Sequence, residues 1–233
     1  MLGPPKSYVA PMLLVVALIA ACSPSGDPAL SPMVPASQRP GVPAAPVRIV
    51  FLGDSLTAGA GLGPEESFPS VLAASWKAAG LSVDVINAGI SGDTTGGGLR
   101  RLDWVLGQEP GVVVVELGAN DMLRGLPVEP AEKNLRSIVT RCQTAGATVV
   151  LLGIRADPRL GPHYVAAFDE MYSRLATELA VPLVPYLLDG IVGDATLTQV
   201  DGLHPTAAGH RRIATLIGAT IEPVVRARTA TPG

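Results

Sequence analysis

Two short segments of this 233-residue chain carry the residue types of nucleophilic catalysis. Ser55 lies in "IVFLGDSLTAG", where an apolar run ends, and the segment "DGLHP" holds Asp201 and His204. A serine becomes a nucleophile when a neutral imidazole takes its proton and a carboxylate holds the tautomer of that imidazole. Asp201 precedes His204 by three residues on a glycine-containing turn, a spacing at which the two side chains can meet. The alternative is an ordinary turn before a helix, and this segment alone does not decide between the two.

A serine that attacks a carbonyl also needs hydrogen-bond donors for the oxyanion that forms. The candidate donors are the Ser55 backbone N–H, the Gly92 backbone N–H in "SGDT" and the Asn120 side-chain amide in "GAND". Gly92 could equally be a turn glycine, and Asn120 could be a cap at the end of a strand. The catalytic interpretation is favoured because all three positions follow predicted strands, which places them at the same end of one sheet.

Simpler explanations suffice for the other residues with chemical potential. His163 and His210 are expected at the surface, and Cys142 is expected to be a small buried packing residue of a helix. Asp54 is expected to fix the turn before Ser55 through backbone hydrogen bonds.

Two function classes find little support in the sequence. The net charge is −3, and no stripe of Lys and Arg interleaved with aromatic residues indicates a nucleic-acid surface. In "GAGLG" the position of the third glycine of a dinucleotide-binding loop holds Pro64, and no Gly-Lys-Ser or Gly-Lys-Thr occurs. Serine chemistry requires no metal and no cofactor, so we expect neither.

Apolar runs and helical patterns alternate along the chain, which predicts a parallel sheet with helices on both faces. The predicted strands span residues 47–52, 82–87, 112–117, 148–152 and 181–184. The predicted helices span residues 67–79, 95–106, 130–145, 164–179 and 206–221. Ligands of such sheets bind beyond the carboxyl ends of the strands, where the candidate residues above are expected to meet.

The N-terminus has the features of an export signal. Lys6 precedes an apolar run that is too short to span a membrane, and residues 1–21 are predicted to be a lipoprotein signal peptide. "LIAAC" resembles a bacterial lipobox, which implies cleavage before Cys22 and lipidation of that cysteine; ordinary secretion is the alternative. We therefore expect an exported protein of the cell envelope, anchored by lipid.

The rest of the chain divides by composition. Residues 22–46 carry many Pro, Ser and Ala and almost no charge, which is typical of a tether. Residues 47–225 are predicted to form one catalytic domain, and residues 226–233 a disordered tail.

Four motifs resemble, in order, the blocks of the SGNH (GDSL) hydrolases: "FLGDSLTAG", "NAGISGDTT", "VELGANDMLRG" and "DGLHP". The resemblance covers nearly all of residues 47–221 and is closest to the bacterial acyl-CoA thioesterase, lysophospholipase and arylesterase type. It implies a three-layer α/β/α sandwich with a five-stranded parallel sheet, flavodoxin-like. It also implies Ser55 as nucleophile, His204 as base and Asp201 as its orienting acid, with Ser55, Gly92 and Asn120 forming the oxyanion hole.

The activity implied by the resemblance is hydrolysis of carboxylic esters or thioesters through an acyl-serine intermediate, by a monomer without cofactors. A carbohydrate acetylesterase would use the same residues, and a non-catalytic surface-binding lipoprotein is the remaining alternative. The loop of residues 154–164, after the fourth predicted strand, is expected to supply the wall that contacts the substrate.

Overall fold

The protein is described as a computed structural model, which covers Gly3 and residues 45–230. Its chain divides into a unit of residues 1–42 and a unit of residues 43–233, and all elements below lie in the second unit. The predicted cleavage site, Cys22 and nearly all of the predicted tether lie outside the described residues.

Five parallel strands form one sheet in the order β2-β1-β3-β4-β5. The strands are β1 (Val47–Gly53), β2 (Val83–Gly89), β3 (Val112–Glu116), β4 (Thr148–Leu152) and β5 (Leu183–Val184). Strand β3, with the sequence "VVVVE", is buried at every position, as expected of a central parallel strand covered on both faces. The strand order reverses direction at β1, and this reversal opens a crevice beyond the carboxyl end of β1.

Within residues 45–230, eight α-helices cover the sheet or line its carboxyl edge. They are α1 (Ser55–Ala58), α2 (Phe68–Ala78), α3 (Thr95–Arg100), α4 (Leu102–Leu106), α5 (Ala119–Leu123), α6 (Val128–Thr144), α7 (Pro162–Glu178) and α8 (Ala207–Ala230). Helix α2 packs against α8, whereas α6 packs against α3 and α7. Right-handed crossovers that run in opposite directions from β1 place these two groups on opposite faces, which gives the expected three layers. Over residues 45–230, no helix combines the length and the apolar character needed to cross a membrane.

Local differences from the sequence-based expectations concern helix ends. The predicted helix at residues 95–106 is divided into α3 and α4 at Arg101, whose side chain binds the Gly53 and Ala88 carbonyl oxygens. The predicted domain end at residue 225 was wrong, because α8 continues to Ala230. Arg228 ties this last turn to the sheet by donating to Thr148 Oγ1 (2.8 Å) and the Gly146 carbonyl oxygen.

His210 is not a surface residue as expected but is buried, with 1% of its surface exposed. Its Nδ1 accepts a hydrogen bond from the Phe68 backbone N–H at 3.1 Å, and its ring stacks on the Phe68 ring. Burial lowers the pKa of His210 to about 4, with a smaller opposing effect from Glu66. The side chain therefore caps the start of α2 as a neutral acceptor.

This neutral histidine makes folding sensitive to acid. Between pH 4 and 6.5 the unfolded chain binds a proton at His210 that the folded protein excludes, so folding stability falls as pH decreases through this window. We expect His210 to lower the free energy of unfolding by ~3 kcal/mol as the pH falls from 6.5 to 4.

The measurement is urea unfolding at pH 4 to 7.5 for the wild type and for His210→Asn, whose amide oxygen can replace the Nδ1 acceptor. Between pH 6.5 and pH 4 the wild type should lose more unfolding free energy than the variant, by about the amount given above. Parallel pH profiles for the two proteins would contradict this account of His210.

Candidate active site

The nucleophile candidate lies on a turn held by Asp54. β1 ends at Gly53, and α1 begins at Ser55, whose preceding residue Asp54 caps the helix by accepting from the Leu56 N–H at 3.0 Å. A Cβ at Gly53 would lie 2.0 Å from Thr57 Oγ1 and 2.8 Å from the Glu116 carbonyl oxygen, so only glycine leaves room for this close packing. The result is a hydroxyl presented at the edge of the sheet.

Helix α1 rests directly on the end of β2. Gly53 lies opposite Gly89 in the register, and a Cβ at Gly89 would stand 2.2 Å from the Ala58 nitrogen. The absence of side chains at both glycines therefore lets the backbone of α1 approach the sheet closely and fixes where Ser55 points.

The structure brings Ser55, His204 and Asp201 into one hydrogen-bonded series. His204 Nε2 lies 2.9 Å from Ser55 Oγ, and His204 Nδ1 lies 2.6 Å from Asp201 Oδ2. With a proton on Nδ1 donated to the carboxylate, Nε2 is free to accept the serine proton. This arrangement is that of a serine activated by a neutral imidazole.

Asp201 is exposed to solvent and remains ionised. Its Oδ1 accepts the backbone N–H groups of Leu203 and His204, at 2.9 and 3.0 Å. The hydrogen bond to the His204 side chain lowers the pKa of Asp201 most, and the two backbone donors lower it further, to about 2. The carboxylate is therefore charged throughout the range in which a histidine base can work.

Gln199 holds the histidine loop against the nucleophile segment, a role that the sequence did not reveal. Its backbone N–H donates to the His204 carbonyl oxygen at 2.7 Å. Its side-chain amide donates to the Ala60 carbonyl oxygen, beyond α1, and to that of Pro205. One side chain thus links two loops that are distant in sequence.

Asn120 and Gly92 line the same cavity as Ser55. Asn120 Nδ2 donates one hydrogen to Asp54 Oδ2 at 2.9 Å, which leaves its second amide hydrogen available for an oxyanion. Gly92 has φ +82° and is held by Arg124, which donates to its carbonyl oxygen at 2.6 Å. The three expected donors therefore surround one space beside the serine.

Glu116 is a second residue whose role the sequence did not reveal. It is fully buried at the end of β3, where Oε2 accepts from Thr57 Oγ1 at 2.8 Å and from the Asp54 N–H at 3.3 Å. Its Oε1 has no hydrogen-bond partner within residues 45–230. Burial, and then the adjacent charge of Asp54, raise the pKa of Glu116 well above its usual value. Glu116 thus supports the nucleophile turn from the end of β3, and its only sequence signal was a carboxylate ending an apolar strand.

Burial also raises the pKa of Asp54, while the hydrogen bonds from Leu56 and Asn120 and the neighbouring Glu116 act in the opposite direction. Asp54 and Glu116 therefore have different structural roles. Asp54 accepts the bonds that orient α1 and Asn120, and Glu116 holds the backbone of Asp54 and the Thr57 hydroxyl.

A cavity of about 810 Å³ opens above the serine. Most of its wall is apolar, and the larger apolar side chains of the wall are Leu56, Met122, Leu123, Ile154, Leu188, Val192 and Leu203. The loop after β4 contributes residues 154–159, which is the first half of the segment expected to contact substrate. His163 is exposed outside this wall, and Cys142 is buried in α6, where burial raises its pKa to about 11.

Comparisons with known proteins give one consistent result. Residues 51–212 match the model of the GDSL-like lipase/acylhydrolase family. The chain is 38% identical over 183 residues to esterase TesA of Pseudomonas aeruginosa, covering 78% of this chain and 91% of that one. It is 37% identical over 178 residues to thioesterase 1/protease 1/lysophospholipase L1 of Escherichia coli K12, covering 76% and 84%. A crystal structure of TesA matches with a TM-score of 0.73 at 38% identity, covering 76% of this chain and 99% of that chain.

The bond between Asp54 and Asn120 can be tested by Asp54→Asn. An asparagine can still accept from the Leu56 N–H, but its own amide would face the Asn120 amide, donor against donor. We expect kcat on p-nitrophenyl acetate to fall about ten- to a hundredfold with little change in KM, because a hydrogen bond to a charged group is lost.

Two reference variants serve as the positive and the negative control for this measurement. Asn120→Ala removes the donor itself and should cost roughly a hundred- to a thousandfold in turnover. Asp84→Asn alters a partly exposed aspartate that pairs with Arg48 near the amino end of β2, and it should retain full activity. An Asp54→Asn protein that keeps wild-type kcat would refute the orienting role of Asp54.

Proposed function

Because the chain belongs to the GDSL-like lipase/acylhydrolase family and is an ester hydrolase, we propose that it cleaves acyl esters and thioesters with Ser55 as the nucleophile. The observation that carries the proposal is the series Ser55–His204–Asp201, which ends in a largely apolar cavity. The serine, the base and the orienting carboxylate have the geometry that acyl transfer requires.

The first half of the reaction acylates the serine. His204 Nε2 takes the proton from Ser55 Oγ as Oγ bonds to the substrate carbonyl carbon. The developing oxyanion is stabilised by the Ser55 and Gly92 N–H groups and the free amide hydrogen of Asn120. His204 then returns the proton to the leaving alkoxide or thiolate, and the carbon–oxygen or carbon–sulfur bond breaks.

The second half releases the acyl group. His204 takes a proton from water as the water oxygen attacks the acyl carbon, and it gives that proton to Ser55 Oγ as the ester bond breaks. The carboxylate of Asp201 stays ionised and stabilises the imidazolium in both halves.

The walls of the cavity favour an acyl chain of medium or greater length. Leu123, Val192 and Leu203 line the cavity and remain half-exposed, so they offer apolar surface that a bound chain would cover. The names of the two relatives, an esterase and a thioesterase/lysophospholipase, support acyl esters, lysophospholipids and thioesters as the substrate range. The polar part of the cavity wall, which would suit the substrate of a carbohydrate acetylesterase, is smaller than the apolar part.

Hydrolysis of p-nitrophenyl esters from acetyl to dodecanoyl tests this function. We expect kcat/KM to rise with chain length beyond acetyl, because longer chains bury more of the apolar wall. Ser55→Ala should reduce turnover of every ester by at least about a thousandfold. Activity confined to acetyl would instead indicate the carbohydrate acetylesterase, and a folded wild type without activity on any ester would contradict the proposal.

We further propose that the protein is exported and anchored by lipid on Cys22. The support is the position of Cys22 at the end of the apolar run, after "LIAA". Mass spectrometry of the mature protein from a bacterial host should find a diacylglyceryl-modified Cys22 as the first residue, and Cys22→Ala should abolish the modification. A mature terminus at any other residue, or an unmodified Cys22, would rule out the anchor.

A further inference from the structure

The cavity wall contains one arginine that the hydrolysis of a neutral ester does not use. Arg155 and Arg159 are the arginines of this wall. Arg159 is neutralised by Asp157, which both its Nε and its Nη2 contact, at 2.9 and 2.5 Å. Asp201, also in the wall, is bound to His204. Arg155 forms no ion pair with any residue of 45–230, so its charge is available to a ligand in the cavity that Ser55 also lines.

The guanidinium of Arg155 is nevertheless held in place. Its central carbon lies 4.7 Å from the centre of the Tyr186 ring, and Tyr186 lines the same cavity. Stacking on an aromatic face fixes the plane of a guanidinium and leaves its N–H edges open to a ligand.

The backbone on both sides of Arg155 is also fixed. The Gly153 N–H donates to the Val184 carbonyl oxygen at 2.8 Å, and the Leu187 N–H donates to the Gly153 carbonyl oxygen at 2.9 Å. These bonds join the segment of Arg155 to that of Tyr186. On the other side, the Ala156 N–H donates to Asp169 Oδ1 at 2.8 Å. Arg155 is therefore placed before a substrate enters, which reduces the entropy lost on binding.

We propose that Arg155 is a specificity-determining residue that binds a phosphate group on the leaving group of the substrate. This inference rests on the proposed function, because the acyl chain must lie against the apolar wall for the leaving group to reach Arg155. A planar guanidinium pairs two N–H groups with two phosphate oxygens, a match that neutral leaving groups lack. The phosphate can belong to a lysophospholipid headgroup or to the nucleotide part of an acyl-CoA, and both present the same chemistry.

Two pairs of substrates with the same acyl chain separate the effect of the phosphate charge from the effect of acyl-chain binding. One pair is dodecanoyl-CoA and the neutral dodecanoyl thioester of N-acetylcysteamine. The other pair is dodecanoyl lysophosphatidic acid and monododecanoylglycerol. The full-length protein is compared with Arg155→Gln and with the charge-conserving Arg155→Lys. The control is Arg226→Gln, which alters an exposed arginine of α8 that pairs with Glu222 outside the cavity wall.

We expect Arg155→Gln to lower kcat/KM about tenfold for the phosphate-bearing members while the neutral members change by less than about twofold. Arg155→Lys should recover part of the loss, and Arg226→Gln should leave both members of each pair unchanged. Raising the salt concentration should reduce the preference of the wild type for phosphate-bearing substrates, because an exposed ion pair is screened. A loss in only one pair supports the inference and identifies the headgroup or the nucleotide as the source of the phosphate.

Equal losses for charged and neutral substrates would overturn the inference, because Arg155 would then act only on the shape of the wall. An Arg155→Gln protein without any loss would overturn it as well. If the wild type hydrolysed none of the four substrates, the proposed function itself would fail. Calorimetric binding of dodecyl phosphate tests the arginine without turnover: wild-type binding that weakens about tenfold in Arg155→Gln supports the site, and equal binding overturns it.

Discussion

The site depends on the buried carboxylate of Asp54. A charge without contact to water is costly to bury unless hydrogen-bond donors surround it, and Asp54 has such donors from two parts of the chain. The Leu56 N–H fixes the helix that begins at Ser55, and the Asn120 amide comes from the segment after β3. One carboxylate therefore sets the distance between Ser55, the proposed nucleophile, and Asn120, the proposed oxyanion donor, which lies 65 residues further along the chain.

The sheet creates the position that Asp54 occupies. Gly53 ends β1 between Gly89 of β2 and Glu116 of β3, in the register of the two parallel pairings. The glycines allow α1 to approach the strand ends, and Glu116 accepts a hydrogen bond from the Asp54 N–H. The histidine loop then reaches the same edge from the far end of the chain, and Gln199 fastens it to the segment after α1. Catalytic geometry thus follows from where three parallel strands end.

Most of the fold could be predicted from local pattern. The five apolar runs and their alternation with helices identify a parallel sheet, and residues at strand ends identify its functional edge. The spacing of Asp201 and His204 could be interpreted because both lie within one short loop. Long-range contacts could not be predicted in this way. His210 is buried because it packs against Phe68, which is 142 residues away in sequence. Gln199 holds the histidine loop only because the Ala60 carbonyl oxygen lies within hydrogen-bond distance of its side chain. The end of α8 was missed for the same reason, since Arg228 is held by Thr148.

The central claim is that His204 activates Ser55 for covalent catalysis, and a fluorophosphonate tests it most directly. Such a reagent forms a phosphorus–oxygen bond to an activated serine and releases fluoride, and tryptic mass spectrometry locates the adduct. The account requires one adduct per chain, on the peptide that contains Ser55, formed at least about a hundredfold more slowly in His204→Ala. A catalytically active preparation that carries the adduct on another residue, or that reacts equally fast without His204, would contradict the claim.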